Sequence, residues 1–363
     1  MFKKRLMSAV MAGMICAVAL AGCGGSKASS AENTSAAKTE AAKTEAAKAE
    51  TEEKKAGSGK KIVLKLGHVA NLEQPYHLAA ELFAKNVYER TNGEVEIQVF
   101  PNSQLGGQRE LLEGLQLGTV DIAMTSSAVL GNFIPTAQVI DLPFMFRNAE
   151  HVYKVVDGPL ADEIYAGAEQ QGFKVISTWE NGFRNIGNNV RPVRTPDDLN
   201  GIKLRVFESQ LYVDMFELLG ALPTPMAMSE VFTALQQKTI DGVENAVVQM
   251  YASKYQEVLK YLTITEHTYN PQIVIFSLDK WNKISEENQQ IIMEAAVESR
   301  DYNRSLAAEK TGEYLEKMQE AGVEVIELTP EERDAFKEKM LPVWEQYYDI
   351  VGKDLIDKVI NTQ

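Results

Sequence analysis

The sequence predicts an α/β protein built from two units, and three observations carry that expectation. From Ile62 to Ser177, stretches that alternate apolar and polar residues take turns with stretches whose apolar residues fall at helical spacing. The same pattern starts afresh after Trp179. Finally, nothing stops a helix between Glu286 and about Glu320, and at about 1.5 Å per residue such a helix spans roughly 50 Å, longer than one small domain. It is expected to bridge both units.

The elements follow in order. Ile62 to Leu66 and Val95 to Phe100 read as strands, with a helix from Tyr76 to Arg90 between them that carries Leu78, Leu82, Phe83 and Val87 on one face. A helix from Gln108 to Leu117 stops at Gly118 and leads into a strand from Val120 to Met124. A helix near 159–171 and a strand from Phe173 to Ser177 complete the first unit, whose core sheet is expected to be largely parallel. In the second unit Thr195, Pro196 and Asp198 mark the start of a short helix ending at Gly201. Lys203 to Val206 reads as a strand, Ser209 to Leu219 and Glu230 to Gln237 as helices, and Gly242 to Ala246 as a strand. Gln272 to Leu278 is a strongly apolar strand that either sheet could take. Ser285 caps the long helix and Gly322 follows its end; a strand from Val323 to Leu328 precedes the capping box of Thr329, Pro330 and Glu332, and tail helices follow.

The chain of 363 residues, 45% hydrophobic, can bury a large core, but not all of it is expected to fold. Residues 1–22 have a basic start (Lys3, Lys4, Arg5) and an apolar run from Leu6 to Leu20, the layout of an export signal. The string LAGC ending at Cys23 resembles a bacterial lipobox, in which the thiol left after cleavage receives lipid such as palmitate and anchors the protein to the membrane. After Cys23, residues 24–60 are Ala, Lys, Glu, Thr, Ser and Gly apart from Asn33, with AAKTE, AAKTE and AAKAE in tandem from Ala36 to Glu50; with no large apolar side chain, residues 23–60 are expected to form a tether rather than a core. Cys16 lies in the signal, so Cys23 is the one cysteine of the mature chain, which excludes disulfides, Cys-based zinc sites and a cysteine nucleophile from the folded part.

The formal charge of −14 becomes −17 once the signal is removed, and since residues 23–61 carry eight Lys and six Glu, about −19 remains on residues 62–363. Such a body repels nucleic acid and anionic membrane surfaces. An anion can still be held in a cleft, because the Debye length of about 8 Å at physiological salt lets local groups outweigh the global field.

Three donor-rich segments stand out: NGFRNIGNN from Asn181, GIKLRV from Gly201 and DGVENAV from Asp241, which contain Arg184, Arg205 and Asn245. Arginine presents a planar fork of donors that matches a carboxylate, so the cluster points to a site for a small organic anion. The sequence has no GxSxG or HExxH, and His77, His151 and His267 lack metal-ligand spacing, so neither an enzyme nor a metal or other cofactor is expected.

Several motifs together resemble the DctP-type extracytoplasmic solute receptors of tripartite ATP-independent periplasmic (TRAP) transporters: SQLGGQREL at 103, GTVDIAM at 118, DLPFMF at 141, NGFRNIGNN at 181, DDLNGIKLRV at 197 and GALPTPMAMSEVFTALQQKTIDGVENAV at 220. The resemblance covers residues 62 to about 350. It implies a two-domain, periplasmic-binding-protein-like α/β fold with the ligand in a cleft between domains: residues 61–181 plus 271–305 as domain I, 182–270 plus 306–363 as domain II. It also implies TRAP permease subunits in the membrane as partners, and a monomeric receptor is expected. Arg205 is similar to the family's carboxylate clamp, Arg184 to a second contact, and Asn245 matches the asparagine of the DGxEN segment. Phe207, Glu208, Met228, Ser126, His68, Tyr76 and Asn181 are further candidates around the ligand. Some members carry an acid where this chain has Ser126, and often Pro at Phe207. If Glu208 faces the cleft, it repels a second carboxylate and accepts bonds from hydroxyls, so the expected ligand is a hydroxylated monocarboxylate such as a uronate or aldonate, ahead of a C4-dicarboxylate. A lipoprotein enzyme acting on a sugar acid, an adhesive lipoprotein and a receptor for an ATP-driven importer are the competing readings.

Overall fold

The computed structural model describes residues 61–363; the expected signal, Cys23 and the tether lie outside them. Ten strands form one continuous sheet system with two wings. In the first wing β1 (Ile62–Gly67) pairs in parallel with β2 (Val95–Phe100) and β3 (Ile122–Ser126). The expected largely parallel sheet is corrected at this point. The 16-residue β4 (Phe173–Asn188) enters this wing antiparallel to β9 (Tyr269–Ser277), which itself lies antiparallel to β3. β4 starts in this wing and points the same way as β3, whereas β9 returns from the second unit and runs against both, so no helical crossover turns it parallel. The apolar strand whose sheet the sequence left open, β9, therefore belongs to the first wing.

The second wing runs β5 (Lys203–Val206) between β6 (Leu222–Pro225) and β7 (Gly242–Ala246), all parallel. The far half of β4, Arg184–Asn188, lies antiparallel to β7, and Ile186–Asn188 also pairs with β8 (Tyr261–Ile264), which carries β10 (Glu324–Glu327). One strand thus serves both wings, and its pairing with β9 is interrupted by irregularities at Val175/Ser177 and Glu180/Gly182. Such bulges bend a strand and sharpen its twist.

The helix Glu286–Glu320 has the expected bounds, with the Ser285 hydroxyl accepting from the Asn288 N–H. It packs on the helix Pro75–Arg90, on β4 and on the helix Val247–Ala252, so it touches both wings. The predicted capping box of Thr329 with Glu332 forms ahead of Pro330–Met340, and the predicted start at Thr195 also forms one, with Asp198, over a short 3-10 turn Pro196–Leu199. The helix expected near 159–171 is instead a short helix, Leu160–Ile164, and a 3-10 turn, Glu169–Gln171. Gly167 between them takes a φ of 90°, a left-handed conformation that a continuous helix cannot contain. Among the described residues no helix is long and apolar enough to cross a membrane.

Candidate functional site

β5 and the end of β4 carry the two arginines. Arg205 sits in β5 between the buried Leu204 and Val206, and is itself 2% exposed. Its Nε and Nη2 both donate to the Met226 carbonyl, at 2.9 and 2.7 Å, while Nη1 is buried with no partner among the described residues. Burial pushes its pKa down, with the charge of Arg184 adding to that effect against Glu244 and Tyr255. Arginine nonetheless stays protonated, so the site holds a fixed, under-compensated cation with an idle donor.

Arg184 is differently placed. It is wholly buried, and its Nη2 donates to the Glu244 carbonyl at 2.6 Å and to Glu244 Oε1 at 2.8 Å while Nε bonds Glu244 Oε2. Nη1 donates to Asn245 Oδ1 at 2.8 Å. The β4–β7 register explains the pair: Arg184 lies opposite Ala246 and Ile186 opposite Glu244, so Arg184 and Glu244 are diagonal neighbours on one face. Burial would raise the Glu244 pKa, but the Arg184 charge and the nearby His267 outweigh it and hold the carboxyl below its ordinary value. Burial would likewise lower the Arg184 pKa, and Glu244 more than offsets it. Most of the Arg184 fork is therefore engaged within the protein, and one Nη1 hydrogen remains beside Asn245.

Phe207 links the two cations, with Cζ of Arg184 4.3 Å and Cζ of Arg205 5.1 Å from its ring centroid. Asn245 Oδ1 accepts from Arg184 and from the Ala246 N–H, and its Nδ2 meets the Met228 sulfur at 3.8 Å. The Tyr255 hydroxyl reaches the same sulfur at 3.7 Å. From Met228 a cavity of about 260 Å³ opens between two sets of loops, one running Val69–Asn71 and Asn102–Ser103, the other Met228–Phe232 and Gln249–Tyr255. Its wall has amides, hydroxyls and apolar groups, and no charged side chain among the described residues.

Thus Arg184, Arg205, Asn245, Phe207 and Met228 come together. Glu208 follows on half-buried, its carbonyl accepting from Asn132 Nδ2 at 2.8 Å and its charge within electrostatic reach of Arg205 and Arg109. Its carboxylate has no hydrogen-bond partner among the described residues. The remaining candidates lie in the first wing and have partners of their own. Ser126 caps a short helix and takes a bond from Asn270 Nδ2 at 2.8 Å. His68 accepts from the Ala70 N–H and meets His77 Nδ1 at 3.2 Å; burial, with His77 adding, pulls its pKa to about 3, so the ring is neutral. The Tyr76 hydroxyl reaches Gln249 Oε1 at 3.4 Å. Asn181 lines a separate cavity of about 370 Å³ with Glu180 and Arg304, against the long helix.

Sequence reasoning missed the Glu244 counter-ion, the Met226 carbonyl that orients Arg205, and a buried acid behind Phe207. In that third place the Tyr212 hydroxyl, its ring 5.1 Å from that of Phe207, donates to Asp141 Oδ1 at 2.9 Å, and Asn270 Nδ2 does so at 3.2 Å. Burial raises the Asp141 pKa to about 7, although bonds from Ser127, Tyr212 and Asn270 work against it. Among the described residues no group of three or more His, Cys, Asp and Glu is arranged to hold a metal.

This fold and site define an extracytoplasmic solute-binding protein. The chain belongs to the DctP family, the bacterial extracellular solute-binding proteins of family 7, whose model matches residues 66–350. It is 36% identical over 292 residues to the 2,3-diketo-L-gulonate-binding periplasmic protein YiaO of Escherichia coli K12, covering 80% of this chain and 88% of that one. A TRAP periplasmic solute-binding protein of Sulfurospirillum deleyianum with bound succinate superposes with a TM-score of 0.80 at 35% identity, over 84% of this chain and all of that one. The sugar acid binding protein DctPAm of Advenella mimigardefordensis, in complex with galactonate, does so with a TM-score of 0.81 at 32% identity, over 84% and 98%.

Proposed function

We propose that the protein captures a small hydroxylated monocarboxylate, such as a uronate or aldonate, and delivers it to a TRAP-type permease, without chemical turnover. The observation that carries the ligand class is the contrast between the two ends of the site. At one end Arg205 holds a buried donor without a partner, the feature that a carboxylate satisfies. At the other the cavity of about 260 Å³ offers Asn71, Asn102, Ser103, Ser229, Gln249, Ser253 and Tyr255, all neutral hydrogen-bonding groups. A polyhydroxylated tail matches that wall, whereas a second carboxylate would be buried without a counter-ion. Glu208 is not part of that wall, and where it turns to the ligand it adds repulsion against a second carboxylate and an acceptor for hydroxyls.

Galactonate in DctPAm is in line with this reading. Succinate in the Sulfurospirillum protein favours a second one, a C4-dicarboxylate receptor. Calorimetry on the purified protein separates them: a uronate or aldonate should bind more tightly than succinate or malate, and the reverse order sinks the proposal.

The remaining assignments accompany it. Residues 61–181 plus 271–305 form one domain and 182–270 plus 306–363 the other. They close on the ligand as a monomer tethered to the membrane through lipid on Cys23. Closure expels water from the Arg205–carboxylate pair, and charge-assisted bonds strengthen as the local dielectric falls.

A further inference from the structure

Four residues after Asn245, the helix Val247–Ala252 carries Gln249, which touches both wings of the protein at once. Its Oε1 accepts from Gln74 Nε2 at 2.7 Å and from the Tyr76 hydroxyl at 3.4 Å, and its Nε2 donates to Ser253 Oγ at 2.8 Å. Gln74 and Tyr76 open the helix Pro75–Arg90 of the first wing, more than 170 positions away in the chain. Beside them Asn71 Nδ2 donates to the Ala252 carbonyl. The groups are dry: Gln74 and Tyr76 are 1% exposed and Gln249 5%. Yet Gln249 also lines the cavity of about 260 Å³. A glutamine amide has two N–H donors, and with one given to Ser253 the other is available to a group in that cavity.

We propose that Gln249 is a positioning residue that couples occupancy of the site to closure of the two wings. A ligand held by Arg205 and bonded near Asn245 orders the start of the helix Val247–Ala252. That aims the Gln249 carbonyl at Gln74 and Tyr76, which lie within reach only when the wings are together. The inference rests on the receptor reading above and adds a residue that holds the closed state and thereby slows ligand release.

The test compares the wild-type protein with Gln249→Ala, Gln249→Glu, Gln74→Ala and the double Ala variant, using D-glucuronate, D-galactonate and succinate as probes. Gln249→Ala removes three bonds, two of which join the wings, so Kd should rise about tenfold, almost wholly through a faster off-rate. Gln249→Glu keeps an acceptor for Gln74 and Tyr76 and should stay within about threefold of wild type. Because Gln74 and Gln249 act as a pair, the double variant should bind about as well as Gln249→Ala alone. The ligand-free protein also visits the closed state, so its hydrogen exchange gives a readout without any probe: amides of residues 74–78 and 249–253 should exchange faster in Gln249→Ala while those of β3 and β7 do not. An off-rate within twofold of wild type, additive effects of the two substitutions, or exchange that is unchanged or faster everywhere overturns the coupling role. A wild-type protein that binds none of the probes counts against the receptor reading, and the exchange comparison then decides the coupling on its own.

Discussion

Arg184 and Glu244 form a two-pronged ion pair from which water is wholly excluded, and it ties β4 to β7 beside Asn245. Attraction in such a pair must outweigh the desolvation of both charges, and removing one partner leaves the other buried and alone. Glu244→Ala should therefore destabilise the protein by about 3–5 kcal/mol, measured by urea denaturation. Arg184→Met combined with Glu244→Leu should recover most of that loss while ligand binding stays weak, because Asn245 loses the donor that orients it. A single Glu244→Ala variant of wild-type stability would show that the pair holds nothing together.

Arg205 is held by the Met226 carbonyl on one edge of its guanidinium group, leaving Nη1 as the idle donor. Lysine reproduces the charge and not the fork. A ligand at 100 times its Kd stabilises the wild-type protein by about 2.7 kcal/mol, and Arg205→Lys should lose most of the corresponding thermal shift. An undiminished shift would rule Arg205 out as the clamp.

Asp141 gives a pH signature. Its folded pKa of about 7 lies above the ordinary carboxyl value, so its contribution is fully present below about pH 4 and is lost as pH rises toward 7. Asp141→Asn keeps the acceptor for the Tyr212 hydroxyl and removes the buried charge. The variant should be more stable than wild type at pH 8, by at most about 4 kcal/mol, and should gain nothing at pH 4. Parallel melting curves across pH 4–8 would refute the assignment.

Gly242 supports the same strand pair from behind. A Cβ at this position would collide with the Gly187 carbonyl oxygen of β4 and press on Asn188. Gly242→Ala should cost about 2 kcal/mol in thermal denaturation, since neither backbone can yield without breaking the β4–β7 ladder.

Features set by local chemistry were legible in the sequence. The ends of the long helix, the two capping boxes, the helix Gln108–Leu117 and the strands β5 and β7 depend on neighbouring residues alone. Arg205 and Asn245 stood out because their segments are rich in donors. What stayed hidden depends on register or on distant packing. β6 carries Pro223 and Pro225, which argue against a strand and are tolerated because β6 pairs on one side only. Glu244 meets Arg184 through an antiparallel register between segments sixty positions apart, and the Met226 contact is made by a backbone carbonyl. The neutral cavity and the Gln249 contacts arise from loops that only the folded chain brings together.

The single strand β4 changes partners midway, between Phe183 and Arg184, just past two irregularities in its pairing with β9. Mechanically this makes it a torsion bar whose stiffness enters every binding constant the receptor displays. If the wings close as proposed, substitutions at Ser177, Glu180 and Gly182 would thus retune how readily the molecule shuts without altering a ligand contact. A transporter could in this way move to scarcer or richer surroundings while keeping the same chemical preference.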